Sequence, residues 1–271
     1  MSTCGARPRA RGTVDIGRAG GRVELGLRTR VIAPLISGSR DGLLDEAAAV
    51  ADEPVDLAEW RADSMVRALA GSSFAAASDL VGELTATAGA LLGALPLPLI
   101  ATVRTSSEGG AAHLDDSEYC ALVASLSGMA DAVDVEIGRE GAPDLVREAQ
   151  RAGARVIASH HDFGGTPGDE ELAGVLASMN HAGADVLKIA CAPRSGGDVA
   201  RVLTAGAWAR EAYDRPVIAI AMGRLGGPTR FAGAALGGAA TFACVGGASA
   251  PGQYTAREAR AVLDIVEGAP Q

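Results

Sequence analysis

The chain has 271 residues, a formal net charge of −9 and a hydrophobic fraction of 48%. That length suits one large α/β barrel or two small domains, and the acidic balance argues against nucleic acid as the main partner. The four cysteines, Cys4, Cys120, Cys191 and Cys244, show no CxxC or paired-histidine spacing, which argues against a metal site and favours free thiols in a reducing cytoplasm. No apolar run reaches transmembrane length and residues 1–11 lack a signal-peptide core, so we expect a cytoplasmic protein with no membrane partner.

Two short runs near the amino terminus come first. Thr13–Ile16 and Arg22–Leu27 flank Arg18-Ala19-Gly20-Gly21, a pattern that predicts a β-hairpin. We expect residues 1–11 to form a disordered tail and the hairpin to cap the bottom of the fold. No linker or low-complexity segment follows, so residues 12–271 are predicted to form a single catalytic domain.

After the hairpin, short apolar runs alternate with amphipathic segments. The runs predict eight strands, at Val31–Ile36, Val55–Trp60, Pro98–Arg104, Ala132–Ile137, Arg155–Ser159, Asp185–Cys191, Pro216–Met222 and Thr241–Val245. The segments predict helices at Asp41–Ala51, Asp116–Met129, Ala142–Ala152, Asp169–His181, Asp198–Tyr213 and Ala256–Val266. The repeated strand–helix order favours parallel pairing, and eight units in about 240 residues are typical of a (β/α)8 TIM barrel in the α/β class.

The sixth strand contains the only lysine of the chain, Lys188. Lysine is seldom fully buried unless it is paired, and burial disfavours its charged form. Lys188 is therefore a candidate for Schiff-base chemistry, in which a neutral amine attacks a carbonyl. From this segment alone, the alternative is a lysine whose stem packs in the core while its ammonium reaches the surface.

Polar residues recur where the predicted strands end, which is the end of a TIM barrel that carries active sites. In chain order they are Glu59, Arg61, Asp63, Arg104, Glu108, Asp134, Glu136, His160, His161, Lys188, Arg230, Ser249 and Gln253. Any one of them alone has a structural explanation as an ion pair, a capping histidine or a turn residue. Their convergence on one mouth instead predicts an active site with an amine, an imidazole, carboxylates and arginines.

The order of the segments that carry these residues is specific. They are Glu59–Asp63, Thr102–Gly110, Asp134–Glu136, Ser159–Pro167, Leu187–Ala190, Met222–Arg230, Ala240–Phe242 and Ser249–Gln253. Together they resemble the type I 3-dehydroquinate dehydratases of the shikimate pathway over nearly all of residues 30–266. The departures from that family's pattern are His160, Gly164-Gly165, Pro228 and Thr229, and none removes a reacting group.

The resemblance implies a TIM-barrel homodimer that converts 3-dehydroquinate, its small-molecule substrate, to 3-dehydroshikimate without a metal or organic cofactor. It implies that Lys188 forms the imine, that His161 and not His160 is the acid–base residue, and that Glu108 orients that histidine. It also implies a carboxylate clamp at Arg230 and a closing loop that contains Ser249 and Gln253. The remaining substrate-binding residues that it implies are Glu59, Arg61, Arg104, Met222 and Phe242.

The implied reaction explains these residue types. A proton beside a ketone is weakly acidic, and a protonated imine on Lys188 supplies the electron sink that lets a side chain remove it. His161 would take that proton and later protonate the departing hydroxyl, with its tautomer fixed by Glu108. We expect burial and the three arginines of the mouth to favour the neutral amine of Lys188.

Two other functions stay open on the sequence. A class I aldolase also places an imine lysine on a barrel strand, with a phosphate site after strands seven and eight, where Val245-Gly246-Gly247-Ala248 lies. The third possibility is a barrel that only binds a small acid.

Overall fold

The computed structural model describes residues 12–17, 21–70, 77–246 and 254–268. Its strands are β1 (Val14–Ile16), β2 (Val23–Leu25), β3 (Arg30–Leu35), β4 (Leu57–Arg61), β5 (Leu99–Thr102), β6 (Ala132–Glu136), β7 (Arg155–Asp162), β8 (Val186–Cys191), β9 (Val217–Ala221) and β10 (Ala240–Phe242). Its helices are α1 (Arg40–Ala51), α2 (Ala62–Leu69), α3 (Ala77–Ala94), α4 (Asp116–Ser127), α5 (Ala142–Ala152), α6 (Asp169–His181), α7 (Gly196–Tyr213), α8 (Gly227–Arg230) and α9 (Ala256–Glu267). Single 3₁₀ turns lie at Ser106–Glu108 and Ala234–Leu236.

The strands β3 to β10 form one parallel sheet that nearly closes on itself. Each strand from β3 to β8 pairs with the next one along the chain, and β10 pairs with β3. Across the remaining seam, the backbone N–H of Ala239 donates to Val217 at 2.9 Å, and that of Ala219 donates to Gly237 at 2.8 Å. The predicted (β/α)8 barrel is therefore confirmed.

The amino-terminal hairpin closes the bottom of this barrel. β1 pairs antiparallel with β2, and Val14, Ile16 and Leu25 are buried in one apolar cluster with inward residues from the lower part of the barrel strands. The hairpin and its capping position were both predicted. The expected tail at residues 1–11 and the hairpin turn at residues 18–20 lie outside the described residues.

Some boundaries differ from those predicted. β7 continues beyond Ser159 because His160 and His161 still pair with residues of β8. β10 ends at Phe242, whereas the apolar run had suggested Val245. The structure also adds α2 and α3 between β4 and β5. Among the described helices, none is both long enough and apolar enough to cross a membrane.

Candidate active site

Strand alternation places the polar residues of the sequence inside the barrel. The inward cluster at the bottom includes Leu57, Ile100, Ala132, Ile157 and Val186, one from each of five consecutive strands. Because side chains on a strand point to the same face every second residue, the next inward layer lies two positions further along each strand. That layer consists of Glu59, Thr102, Asp134, Ser159 and Lys188. A further step of two reaches Arg61, Glu136 and His161 at the ends of three of those strands, and Arg104 just beyond the end of β5.

Lys188 is buried in this inward layer, with only 5% of its surface exposed. Its Nζ donates to Oδ2 of Asp134 at 3.2 Å and lies 3.8 Å from Oε1 of Glu59. The Phe242 ring lies against the ammonium, 4.7 Å from Nζ to the ring centroid. The amine is therefore held between two carboxylates and an aromatic face. The three arginines that were expected to favour the neutral amine are not its closest charged neighbours, which are carboxylates.

Arg104 connects the carboxylates of the mouth. Its Nη2 donates to Asp134 at 2.7 Å, and its Nη1 donates to Glu108 at 2.9 Å, Glu136 at 3.2 Å and Ser159 at 3.0 Å. Burial alone would lower the pKa of this guanidinium, but Asp134, Glu108 and Glu136 raise it overall. Arg104 is thus a permanent cation shared by three buried carboxyl groups.

Glu108 and His161 form a hydrogen-bonded pair beside Lys188. Nδ1 of His161 lies 2.9 Å from Oε2 of Glu108, and the His161 backbone N–H donates to the same oxygen at 3.1 Å. When Glu108 is ionised, it selects the His161 tautomer with hydrogen on Nδ1, which leaves Nε2 available as a base.

Burial and charge set the protonation of this pair. Burial raises the pKa of Glu108 to about 8, with Arg104 opposing the rise and Glu136 adding to it. Burial also lowers the pKa of His161 well below its usual value, and the positive charges of Arg104 and Lys188 lower it further. The imidazole of His161 is consequently neutral at neutral pH.

Arg230 is a buried cation that faces the same cavity. Its Nη1 donates to the carbonyl of Phe242 at 3.3 Å, whereas its Nε is buried without a hydrogen-bond partner. Burial lowers the pKa of this guanidinium. Within the described residues no carboxylate forms an ion pair with it, so its charge is available to an anionic ligand.

The fully buried carboxylate of Asp63 orients the side chain of Arg61. Its Nε and Nη2 each donate to Asp63 at 2.8 Å, in a bidentate pair. The second oxygen of Asp63 also accepts from the Ala111 backbone N–H at 2.9 Å. Asp63 therefore fixes Arg61 relative to the loop that follows β5.

A cavity of about 400 Å³ joins these groups. Among the residues of its wall are Glu59, Arg61, Arg104, Glu108, His161, Lys188, Met222, Arg230 and Phe242. The structure thus brings nine of the eleven predicted site residues to one pocket. The other two, Ser249 and Gln253, lie outside the described residues. In the part of the chain that the structure describes, no group of three or more His, Cys, Asp or Glu side chains is arranged to hold a metal ion.

Sequence reasoning placed Asp134 at the mouth but assigned no particular role to it or to Ser159. Asp134 accepts from Lys188 and Arg104, and Ser159 donates to the same carboxylate at 2.5 Å. Burial would raise the pKa of Asp134, but Arg104 and Lys188 lower it overall. The available signal was strand periodicity, since both residues lie two positions beyond an inward apolar residue.

Together, the fold and the pocket define the chain as a (β/α)8-barrel enzyme with a buried amine in its catalytic mouth. The family model described as type I 3-dehydroquinase matches residues 31–270. The chain therefore belongs to the type I 3-dehydroquinase family, whose members are hydro-lyases.

Individual relatives match over most of their length. The 3-dehydroquinate dehydratase of Klebsiella pneumoniae is 39% identical over 245 residues, which cover 88% of this chain and 93% of that protein. The solved 3-dehydroquinate dehydratase of Geobacillus kaustophilus is 32% identical with a TM-score of 0.83, covering 96% of this chain and 98% of that one. The type I enzyme of Clostridium difficile, solved with covalently modified comenic acid, is 29% identical with a TM-score of 0.84, covering 94% and 98%. These matches favour the dehydratase over both the aldolase and the non-enzymatic barrel.

Proposed function

We propose that this protein dehydrates 3-dehydroquinate to 3-dehydroshikimate through an imine on Lys188, with His161 as general base and then general acid. The observation that carries the proposal is that the buried amine of Lys188 and the Glu108–His161 pair line one cavity. Family membership supplies the substrate, because the matched relatives are named 3-dehydroquinate dehydratases.

The surroundings of Lys188 suit the cationic intermediate. Attack of the neutral amine on the ring ketone and loss of one water give a protonated imine, whose positive charge replaces that of the ammonium. Asp134 and Glu59, at 3.2 and 3.8 Å from Nζ, then face this iminium. Carboxylates that pair with the ammonium before reaction therefore also stabilise the electron sink.

Elimination follows between the imine and the base. His161 removes the proton beside the imine carbon, the electrons shift toward the iminium nitrogen, and the β-hydroxyl then leaves as water with a proton from the same imidazole. Hydrolysis of the product imine consumes one water and frees Lys188. With Glu108 as a carboxylate, the Nδ1–H of His161 stays in place and Nε2 is left to exchange the proton.

The charges of the pocket also suit the substrate. The carboxylate of 3-dehydroquinate is assigned to Arg230, because that buried guanidinium has a free Nε and its planar fork can bind a carboxylate with two hydrogen bonds. Glu59 and Arg61 supply polar contacts for the ring hydroxyls, and Met222 and Phe242 pack on the ring. Arg104 already donates to four protein groups, so it holds the carboxylates of the pocket in position as well as contacting the ligand.

Borohydride reduction in the presence of 3-dehydroquinate tests the covalent step. We expect a stable adduct on the peptide that contains Lys188, and no such adduct in Lys188→Met, which keeps an unbranched chain as far as Cε without the amine. Because Lys188 is the single lysine, the main competing amine is the amino terminus, which the variant retains as an internal control. Product appearance is followed by the ultraviolet absorbance of the conjugated enone. Turnover with an unmodified Lys188 peptide would reject the imine.

The predicted single domain over residues 12–271, the cytoplasmic location and the homodimer stay predictions. Light scattering after size-exclusion chromatography of the full chain measures the assembly state directly, and a monomeric mass at working concentration would reject the dimer.

A further inference from the structure

Glu108 has a histidine ring beside each of its two oxygens. Nδ1 of His161 lies 2.9 Å from Oε2, and Nδ1 of His160 lies 3.8 Å from Oε1. The arrangement arises because β7 extends through both histidines, so successive side chains leave the strand on opposite sides of the same carboxyl group. The proposed mechanism uses only His161 and leaves His160 without a function.

The two oxygens of Glu108 differ in what they accept. Oε2 lies within hydrogen-bonding distance of three nitrogens, which are Nη1 of Arg104 at 2.9 Å and the backbone N and Nδ1 of His161 at 3.1 and 2.9 Å. A proton taken up by this carboxyl group is therefore placed on Oε1. Oε1 faces His160, so a second imidazole lies beside the proton that Glu108 would hold.

His160 also lies closer to solvent than the pair that it touches. Its side chain is 27% exposed, compared with 12% for His161 and 11% for Glu108. Glu108 and His161 are in the wall of the cavity, whereas the described wall does not include His160. His160 thus lies between a buried acid–base pair and the protein surface, outside the described wall of the cavity.

We propose that His160 is a positioning residue that controls the proton occupancy of Glu108 and, through Glu108, keeps His161 in its neutral, base-competent form. This inference rests on the proposed function, in which Glu108 must be a carboxylate and His161 neutral. Positive charge at His160 lowers the pKa of His161, and the same charge beside Oε1 favours the carboxylate of Glu108. The other charged groups that act on the pair are Arg61 from β4, Arg104 from just after β5, Asp134 and Glu136 from β6, and Lys188 from β8.

The variant His160→Asn isolates this effect, because asparagine keeps a polar group near the Nδ1 position but does not titrate. We expect the acid limb of the kcat/KM profile to move upward by about 0.3 to 1 pH unit, while kcat on the plateau changes less than twofold. His160→Gln should move the limb in the same direction. The matched control is His181→Asn, an exposed histidine in the last turn of α6, which should leave the profile unchanged.

Nuclear magnetic resonance of the ligand-free protein supplies a readout that does not depend on activity. The ring ¹⁵N resonances of His161 should report the ionisation of its hydrogen-bonded neighbour Glu108, and the midpoint of that titration should move upward in His160→Asn. Superimposable His161 titrations and kcat/KM profiles in wild type and both His160 variants would overturn the inference. A wild-type protein with no dehydratase activity at any pH would overturn the proposed function instead, and the resonance titration would still decide the role of His160.

Discussion

Asp134 links the reactive amine to the central guanidinium of the pocket. Its Oδ2 accepts from Nζ of Lys188 at 3.2 Å, and its Oδ1 accepts from Nη2 of Arg104 at 2.7 Å. One buried carboxylate therefore balances two buried cations. Because a buried charge without a partner is costly, removing this carboxylate should change the charge state of its surroundings and not merely one contact.

For Asp134→Asn we expect kcat to fall by about 10- to 100-fold, while borohydride still traps an imine on Lys188. The physical reason is that the iminium loses its nearest counter-charge, which weakens the electron sink more than it hinders attack by the amine. Steady-state rates and adduct mass measure the two steps separately. Ser159→Ala is the control, because it removes a hydrogen bond to Asp134 and leaves the charge, so it should cost less than tenfold. Equal losses in the two variants would contradict the charge argument.

For His161→Ala we expect the rate to fall by about 10³-fold or more, since the variant lacks both the base and the acid of the elimination. The imine should still form, because Lys188 keeps its contacts with Asp134 and Glu59. Borohydride should then trap mainly the adduct that has not lost its β-hydroxyl, which mass spectrometry distinguishes by one water. His113→Ala, at an exposed position, serves as the control. Normal turnover in His161→Ala would transfer the assignment to His160.

Much of this site could be predicted from the chain, because strand periodicity and strand ends are local features of sequence. Lys188 on the sixth barrel strand and His161 on the fifth follow from where the apolar runs lie. The contact between Lys188 and Asp134 could not be read in that way. It joins β8 to β6 past the intervening strand β7, and such a distance depends on strand stagger and closure, which the linear spacing does not contain.

The charges around the amine of Lys188 also could not be predicted from the sequence. The sequence places arginines at several strand ends, and counting them suggested a positive environment for Lys188. In the structure Arg104 turns toward Asp134, Glu108 and Glu136, and its charge is largely balanced by them. The sequence shows which charged side chains reach the mouth of the barrel, but packing inside the barrel determines which of them form ion pairs.

For Arg230→Met we expect KM for 3-dehydroquinate to rise at least tenfold and kcat/KM to fall by about 100-fold or more. The reason is that the substrate carboxylate loses the two hydrogen bonds that the guanidinium can donate to it. The ligand-free variant should be no less stable than wild type, since the change removes a buried cation whose Nε has no partner. Thermal unfolding and steady-state kinetics test the two halves. Arg230→Lys keeps the charge without the bidentate geometry, so its KM and kcat/KM should lie between those of wild type and Arg230→Met. A lower unfolding temperature with unchanged KM would indicate a structural residue.

For Glu108→Gln we expect stability relative to wild type to rise with pH. The folded-state pKa of Glu108 is raised from 4.5 to about 8, so its contribution is fully present below the unfolded value and is lost as pH rises through about 8. In that window the unfolded chain carries the ionised carboxylate while the folded chain holds the proton, and wild-type stability falls. Glutamine removes this linkage, so the difference in unfolding free energy should grow by about 3 to 4 kcal/mol between pH 5 and pH 9.

Urea unfolding at four or five pH values across that range measures the Glu108→Gln difference directly. The solvent-exposed Glu148, on the outer helix α5, provides the matched control as Glu148→Gln, whose difference from wild type should stay constant with pH. Activity of Glu108→Gln should fall over the same range, because the amide cannot hold the Nδ1–H of His161 as a carboxylate does. A stability difference that is independent of pH would mean that Glu108 is already ionised in the folded protein, and that Arg104 outweighs burial.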